Sequence, residues 1–309
     1  MKCKPCGSPA VIEVRRHRAA FCRDCFLHHC REQVRRAISS HRMLGHSERV
    51  LVAVSGGKDS LALWDILLAL GFQADGVYLG LGIGDYSDTS RSYAARYADS
   101  PAVAERGAKL HVIDIPTEHG FAIPDAARAT KRVPCSACGL SKRHLLNRAA
   151  LDGGYDVLAT GHNLDDEAAV LFGNVMQWHV SYLARQRPVL PETAGFARRV
   201  KPLIRLGERE TAAYCLLTGI DYIVEECPMA AGNRHLRYKE TLNEIEDRSP
   251  GAKAAFYLQF LDQMLPVLDG VAEAERDLVG ECSRCGAPSS AEICAFCKLV
   301  ERATPPTDA

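Results

Sequence analysis

Net charge is the first thing this sequence lacks: 38 lysines and arginines balance 38 aspartates and glutamates over 309 residues. Any contact with nucleic acid therefore has to come from local basic patches and not from a global field. No run reaches the roughly 18 apolar residues of a membrane span, and the opening MKCKPCGSP has no apolar stretch of the secretory kind. The sequence thus predicts no membrane partner and a reducing, cytoplasmic location. Disulfides are rare in such a compartment, so thirteen cysteines point to metals. Low-complexity tracts are missing too. What remains, 47% hydrophobic and 25% charged, is the composition of a soluble globular protein with length for one large domain or two to three smaller ones.

The stretch VLVAVSGGKDSLALWDILLAL organises the rest. Val50 to Val54 form an apolar run that suits a strand buried on both faces of a parallel sheet, and Leu61, Leu63, Ile66, Leu67 and Leu70 recur at helical spacing behind it. Between them Gly56 and Gly57 allow close backbone approach to a ligand. A glycine turn entering a helix N-terminus is an anion site, with Lys58 and the hydroxyls of Ser55 and Ser60 available to phosphate oxygens. The motif is not the GxxxxGK[ST] loop, because Asp59 follows the lysine. That carboxylate is tolerable beside phosphates if Mg²⁺ bridges them or if the helix turns it aside.

The architecture repeats downstream. Ala74 to Gly84 reads as a second strand running into a glycine turn, Lys109 to Ile115 as a third, and Asp156 to Thr160 as a fourth that meets Gly161 and then a helix starting with Asp165 and Asp166. Helical sequence from Ser87 to Arg106 should break near Pro101. Both glycine turns should open on one edge of a doubly wound α/β sheet, where such folds bind ligands. Ala53 and Leu79, at strand ends, are placed for an adenine and its ribose. The stretch from Gly173 to Gly207 reads as loop, and its Arg185, Arg187, Arg198, Arg199 and Lys201 make it a candidate RNA-facing insert. DYIVEECPMA reads as a last strand ending at Cys227, with helices from about Lys239 to Leu268.

Two cysteine quartets have the paired CxxC spacing of closed tetrahedral Zn²⁺ sites: Cys3, Cys6, Cys22 and Cys25, and Cys282, Cys285, Cys294 and Cys297. His28, His29 and Cys30 follow the first quartet and are expected to start the next helix, whose Arg31, Arg35, Arg36 and Arg42 are either a solvated face or, with Arg15, Arg16 and Arg18, a phosphate-binding surface. The predicted organisation is a zinc finger over 1–30, a basic linker helix over 31–48, a catalytic domain over 49–275, a second finger over 276–300 and a flexible tail over 301–309. Five cysteines remain. Cys215 reads as a core thiol, whereas Cys135, Cys138 and Cys227 are an unclosed CxxC plus a distant partner. Three thiolates can hold a 4Fe-4S cluster with one iron left open, or can act bare through a persulfide and a resolving disulfide. Spacing does not separate the two.

SGGKDS, PCSACG, GHNLDD, ECP and the terminal CxxC pairs, in this order, resemble the TtuA-type tRNA 2-thiouridine synthetases and the related wobble-uridine thiolases of the ATP-pyrophosphatase superfamily over nearly the whole chain. The resemblance implies a pyrophosphate-loop, adenine nucleotide hydrolase-like α/β domain between zinc ribbons. It implies adenylation of the 2-carbonyl oxygen of a tRNA uridine, most readily the T-loop uridine, and displacement of AMP by sulfur. It also implies ATP with Mg²⁺, a 4Fe-4S cluster on Cys135, Cys138 and Cys227, and a ubiquitin-like thiocarboxylate protein as sulfur donor, and it leaves room for a homodimer. Lys142 and Asp166 would be the catalytic polar pair beside ATP, and Gly161 would lie against the nucleotide. The readings set against it are wobble-uridine or anticodon-loop cytidine thiolation, a lysidine-synthase-like ligase, and a noncatalytic zinc-ribbon RNA-binding protein.

Overall fold

Strand β1 (Ile12–Val14) and strand β2 (Ala19–Phe21) form an antiparallel hairpin in register Ile12↔Phe21, and helix α1 (Arg23–His41) follows at once. The computed structural model describes residues 1–230, 234–270 and 280–304. Helix α1 starts inside the first cysteine quartet, so the expected boundary at residue 30 falls mid-helix, with Cys30 fully buried on its inner face beside Phe26, Val34 and Ala37.

The central α/β domain begins with β3 (Arg49–Val54), α2 (Lys58–Ala69) and β4 (Gln73–Gly80). Then come α3 (Gly84–Ala98) and α4 (Pro101–Ala104), parted where Pro101 was expected to break the helix, and β5 (Leu110–Asp114). Helices α5 (Ile115–His119), α6 (Ile123–Thr130) and α7 (Pro134–Asp152) lead to β6 (Val157–Thr160) and α8 (Leu164–Met176). Short α9 (Val180–Ala184) precedes β7 (Val189–Leu190), β8 (Arg198–Val200) and α10 (Glu208–Thr218), and α11 (Arg234–Arg248) and α12 (Ala252–Gln259) close the domain. Strands β9 (Gly280–Glu281) and β10 (Pro288–Ser289) and the C-terminal helix Ala295–Ala303 build the second finger.

The sheet order is β5-β4-β3-β6-β8-β7, parallel except for edge strand β7. Strand β3 is central because its residues are apolar on both sides: Val50, Val52 and Val54 join the core under α1 and α2, while Leu51 joins the opposite core under α6 and α7. The chain winds outward from β3 through β4 and β5, then returns to β3's other side as β6. The topological switch point is therefore between β3 and β6, and both glycine turns open there as expected.

Four local expectations are corrected. The CxxC of Cys135 and Cys138, expected from the sequence to stand before a helix beginning with Ser141, Lys142 and Arg143, lies instead in the first turns of α7, because Pro134 fits the start of a helix, where its missing N–H costs nothing. Residues 221–227 are not a strand; the segment crosses the sheet edge irregularly, tied by the Ile223 N–H to the Gly56 carbonyl at 3.0 Å. Part of the predicted loop over 173–207 is sheet, since β7 and β8 extend it beyond β6. Helix α11 begins at Arg234, five residues before the predicted start. The boundary expected at 275–276 and the tail from 305 onward lie outside the described residues, whereas the C-terminal helix runs to Ala303.

Candidate functional site

Helix α2 starts at Gly57 with no side-chain cap, so its first N–H groups face the switch point. Within the turn the Ser55 N–H donates to the Ser60 hydroxyl at 3.0 Å, and that hydroxyl donates to the Gly57 carbonyl at 2.9 Å. Gly56 has φ +74°, and a Cβ there would stand 2.1 Å from the Ser90 carbonyl oxygen. Only glycine fits. Gly161 serves the second turn differently: its missing Cβ would be 2.9 Å from the Ser60 nitrogen, so the two loops are in backbone contact.

Asp59 is turned aside by the helix, the second of the two arrangements anticipated for it. Its Oδ1 accepts from Asn163 Nδ2 at 3.0 Å and from the Thr211 hydroxyl at 2.5 Å, which ties α2 to the starts of α8 and α10. Burial raises its pKa, opposed by Lys58. Asn163 caps α8 in a reciprocal box with Asp166. The other Asp166 oxygen pairs with Lys239 Nζ at 2.6 Å, and although burial works against ionisation, Lys239 holds the carboxyl below its usual range. Lys239 also reaches Glu208 at 3.3 Å, and Glu208 reaches Lys58 at 2.7 Å. Burial disfavours the charged Lys58, but Asp59 and Glu208 outweigh it and raise the pKa. Three helix N-termini thus meet at a network of alternating charge. Asn163, Thr211, Glu208 and Lys239 had no assigned role in the sequence, although a third helix entered through a glycine, Gly207, whose N–H donates to Glu210 at 2.7 Å, was a signal for Glu208.

On the other face of the loop, Ala53, Ser55, Leu79, Tyr86 and Lys142 line a narrow cleft of about 80 Å³. Ala53 and Leu79 are where an adenosine was expected. Lys142 and Asp166 are not brought together by any contact: Lys142 belongs to this cleft, and Asp166 to the charge network.

The thiols lie within electrostatic reach of Lys142 and Tyr86 in the cleft wall. Burial raises the Cys138 pKa, Lys142 opposes this, and the charges of Cys227 and Cys135 add to it. Tyr86, unpredicted, is held protonated first by burial and then by Cys227 and Cys138. Cys135 Sγ lies 3.4 Å from the Met229 carbonyl oxygen, so α7 and the segment after Cys227 meet. The trio from distant parts of the sequence therefore converges on the cradle's edge of the sheet. Among the described residues the two terminal quartets have all their sulfurs within 4.8 Å of one another, and the trio is not so compact. Four sulfurs at about 2.3 Å from one zinc stand about 3.8 Å apart, and the pairs Cys6–Cys22, Cys285–Cys294 and Cys282–Cys297 are at 3.6, 3.8 and 3.9 Å. The quartets fit one tetrahedral ion each. A wider set of three soft donors fits a cluster whose irons each take one thiolate. Cys215 is a buried core thiol 3.4 Å from the Lys58 carbonyl, its pKa pushed up to about 12 by burial.

The basic surface around α1 is largely spent inside the chain. Arg31 bonds Tyr214, Arg35 and Arg36 bond Glu32, and Arg16 forks onto buried Glu210 at 2.7 and 2.9 Å. Arg35 and Arg36 lie on the exposed face of α1, whereas Arg16 is largely buried in its pair with Glu210.

Residues 2–27 match a family model described as 2-thiouridine synthetase TtuA, N-terminal LIM domain. The tRNA-5-methyluridine(54) 2-sulfurtransferase of Thermus thermophilus is 50% identical over 97% of this chain and 91% of its own length. That of Pyrococcus horikoshii is 41% identical over 97% and 93%. Among solved structures, the U34-tRNA thiolase NcsA from Methanococcus maripaludis with its [4Fe-4S] cluster superposes with a TM-score of 0.79 at 25% identity, covering 97% of this chain and 96% of that one.

Proposed function

The chain belongs to the tRNA-5-methyluridine(54) 2-sulfurtransferases, and from that premise we propose that it is an ATP-dependent enzyme that replaces the 2-carbonyl oxygen of the T-loop uridine with sulfur. The observation that carries the mechanism is that Cys135, Cys138 and Cys227 gather within reach of Lys142, which lines the Ala53–Leu79 cleft. ATP places its adenosine against Ala53 and Leu79 and its phosphates on the N–H groups from Gly57 to Ser60 at the start of α2. Lys58 is the nearest cation to those phosphates, and an accompanying Mg²⁺ would have to draw Glu208 away from its pairs with Lys58 and Lys239.

A uracil carbonyl is a poor electrophile. Its oxygen attacks the α-phosphorus and pyrophosphate leaves; a sulfur nucleophile then adds at C2, the C–O bond breaks and AMP departs. Lys142, beside both the cleft and Cys138, offsets negative charge on the α-phosphate and on the departing oxygen, the preorganised stabilisation that often contributes most to catalysis. Asp166 acts at one remove in this reading, by fixing Lys239 and the start of α8. Cys135, Cys138 and Cys227 would hold a 4Fe-4S cluster, which when bound supplies an iron position open to sulfur. Two zinc ions in the terminal quartets fold the ribbons.

A small carrier protein with a C-terminal thiocarboxylate is the proposed donor, and a homodimer the proposed assembly, checked by light scattering. No helix among the described residues is long and apolar enough to cross a membrane. Thirteen free cysteines suit a reducing cytoplasm. Protein purified without oxygen should contain iron, sulfide and zinc and should yield 2-thiouridine at position 54 with stoichiometric AMP, read by metal counting and mass spectrometry. Zinc-only protein with full activity would defeat the cluster assignment, and sulfur at position 34 would defeat the site of modification.

A further inference from the structure

The cations between Gly173 and Gly207 divide sharply. Arg187 pairs with Asp269, Arg198 with Glu48 and Lys201 with Glu167. Arg205, beside Arg16 and Arg36, and Arg199 are different: among the described residues neither side chain has a hydrogen bond or ion pair. Strand alternation explains Arg199, because Arg198 and Val200 face one side of β8 and Arg199 the other, in register with Leu158 of β6 and Leu190 of β7. On that side it meets Arg143 of α7, also unpaired among the described residues. Burial lowers the Arg199 pKa and the Arg143 charge lowers it further. Both line a cavity of about 590 Å³ between α7, the β7–β8 hairpin and the second finger, whose other charged lining residues are Arg185 and the carboxylate Glu281.

Guanidiniums remain charged at any ordinary pH, and three of them face this cavity against the single carboxylate Glu281, so the Arg143–Arg199 repulsion is one that a further anion offsets. Planar guanidinium forks match a phosphodiester bidentately. The place is telling as well, because Arg143 follows Lys142 on α7 and its charge also reaches Cys138. We propose that Arg143 and Arg199 form a phosphate pocket that grips the tRNA backbone beside the nucleotide to be thiolated. Such contacts fix register without reading sequence, and an extruded base needs its flanking backbone held. The inference rests on the tRNA reading above.

The test measures binding of unmodified tRNA to full-length protein by fluorescence anisotropy at several salt concentrations. Arg143→Gln and Arg199→Gln should each weaken binding about five- to tenfold and flatten the plot of log affinity against log salt by about 0.7–0.9. Arg199→Lys should keep the salt slope while losing part of the affinity. Arg199→Gln should melt no lower than wild type, because like-charge repulsion is relieved; a fall of more than about 5 °C would show an internal structural role and overturn the proposal. Unchanged affinity and slope in both glutamine variants overturn it while leaving the tRNA reading intact, whereas wild-type protein that fails to bind tRNA removes that reading as well. Normal tRNA binding combined with loss of transfer from a thiocarboxylate protein, but not from free sulfide, would reassign the cavity to a carboxylate and likewise overturn it.

Discussion

Gly56 and Gly161 show at the scale of single residues how little space the cradle has. An alanine methyl at Gly56 collides with the Ser90 carbonyl at 2.1 Å and must also adopt φ +74°. Gly56→Ala should therefore cost more than ~1 kcal/mol of stability and abolish ATP-dependent AMP formation, measured by denaturant unfolding and by nucleotide chromatography. Gly161→Ala pushes on the Ser60 nitrogen from 2.9 Å and should weaken ATP binding while the sheet stays folded. Lys142→Ala removes charge compensation at the cleft, and the expected result is a fall in kcat of roughly 100-fold or more with tRNA binding retained. Equal turnover by Lys142→Ala and wild type would leave that lysine without a catalytic role.

Helix α10 is the element that joins the first finger to the cradle. Its first turn carries Glu208, bonded to Lys58, and Glu210, which accepts from Arg16 and lies 3.8 Å from the His29 Nε2. Burial works against the ionised Glu210, but His29 and Arg16 bring its pKa to about 2. Breaking a buried pair by removing one partner costs roughly 3–5 kcal/mol. Arg16→Ala should show a loss of that order in urea titrations, together with a raised KM for ATP, because the helix that positions Glu208 is loosened. A destabilised variant with unchanged KM would separate finger docking from the cradle.

Across the whole molecule, the two terminal cysteine quartets and the Cys135, Cys138 and Cys227 trio should respond separately. Chelation of zinc should unfold the two ribbons and leave the sheet largely intact, since each quartet fits one ion and so small a segment buries little surface of its own; far-ultraviolet dichroism and limited proteolysis would follow this. Acid adds a second handle at the second finger. His144 stacks on Phe296 at 4.1 Å, and burial, with Arg148 and His119, lowers its pKa to about 4. The fold therefore prefers the neutral ring: its contribution is complete above the ordinary histidine pKa of about 6.5 and is lost as pH falls toward 4. His144→Phe keeps the stack and should flatten the fall of Tm across that window relative to wild type, while zinc loss, common to both proteins, cancels in the difference.

The sequence by itself determined what is local. A glycine turn between an apolar strand and an amphipathic helix has one good use, and the terminal CxxC pairs need only short loops to close, so the cradle, the parallel sheet and both quartets were legible from spacing. The motif order also carried the T-loop uridine assignment, which the names of the 50% and 41% identical relatives match. Only the tertiary structure decided which charges are already spent. Arg187, Arg198 and Lys201 find carboxylates from distant elements while Arg199 does not, and no periodicity in the chain announces that difference. The separation of Lys142 from Asp166, the irregular path of residues 221–227 and the place of Tyr86 beside the thiols were hidden for the same reason. Local backbone preference is set by neighbours in sequence, whereas a side chain's partner is set by whatever the fold carries to it.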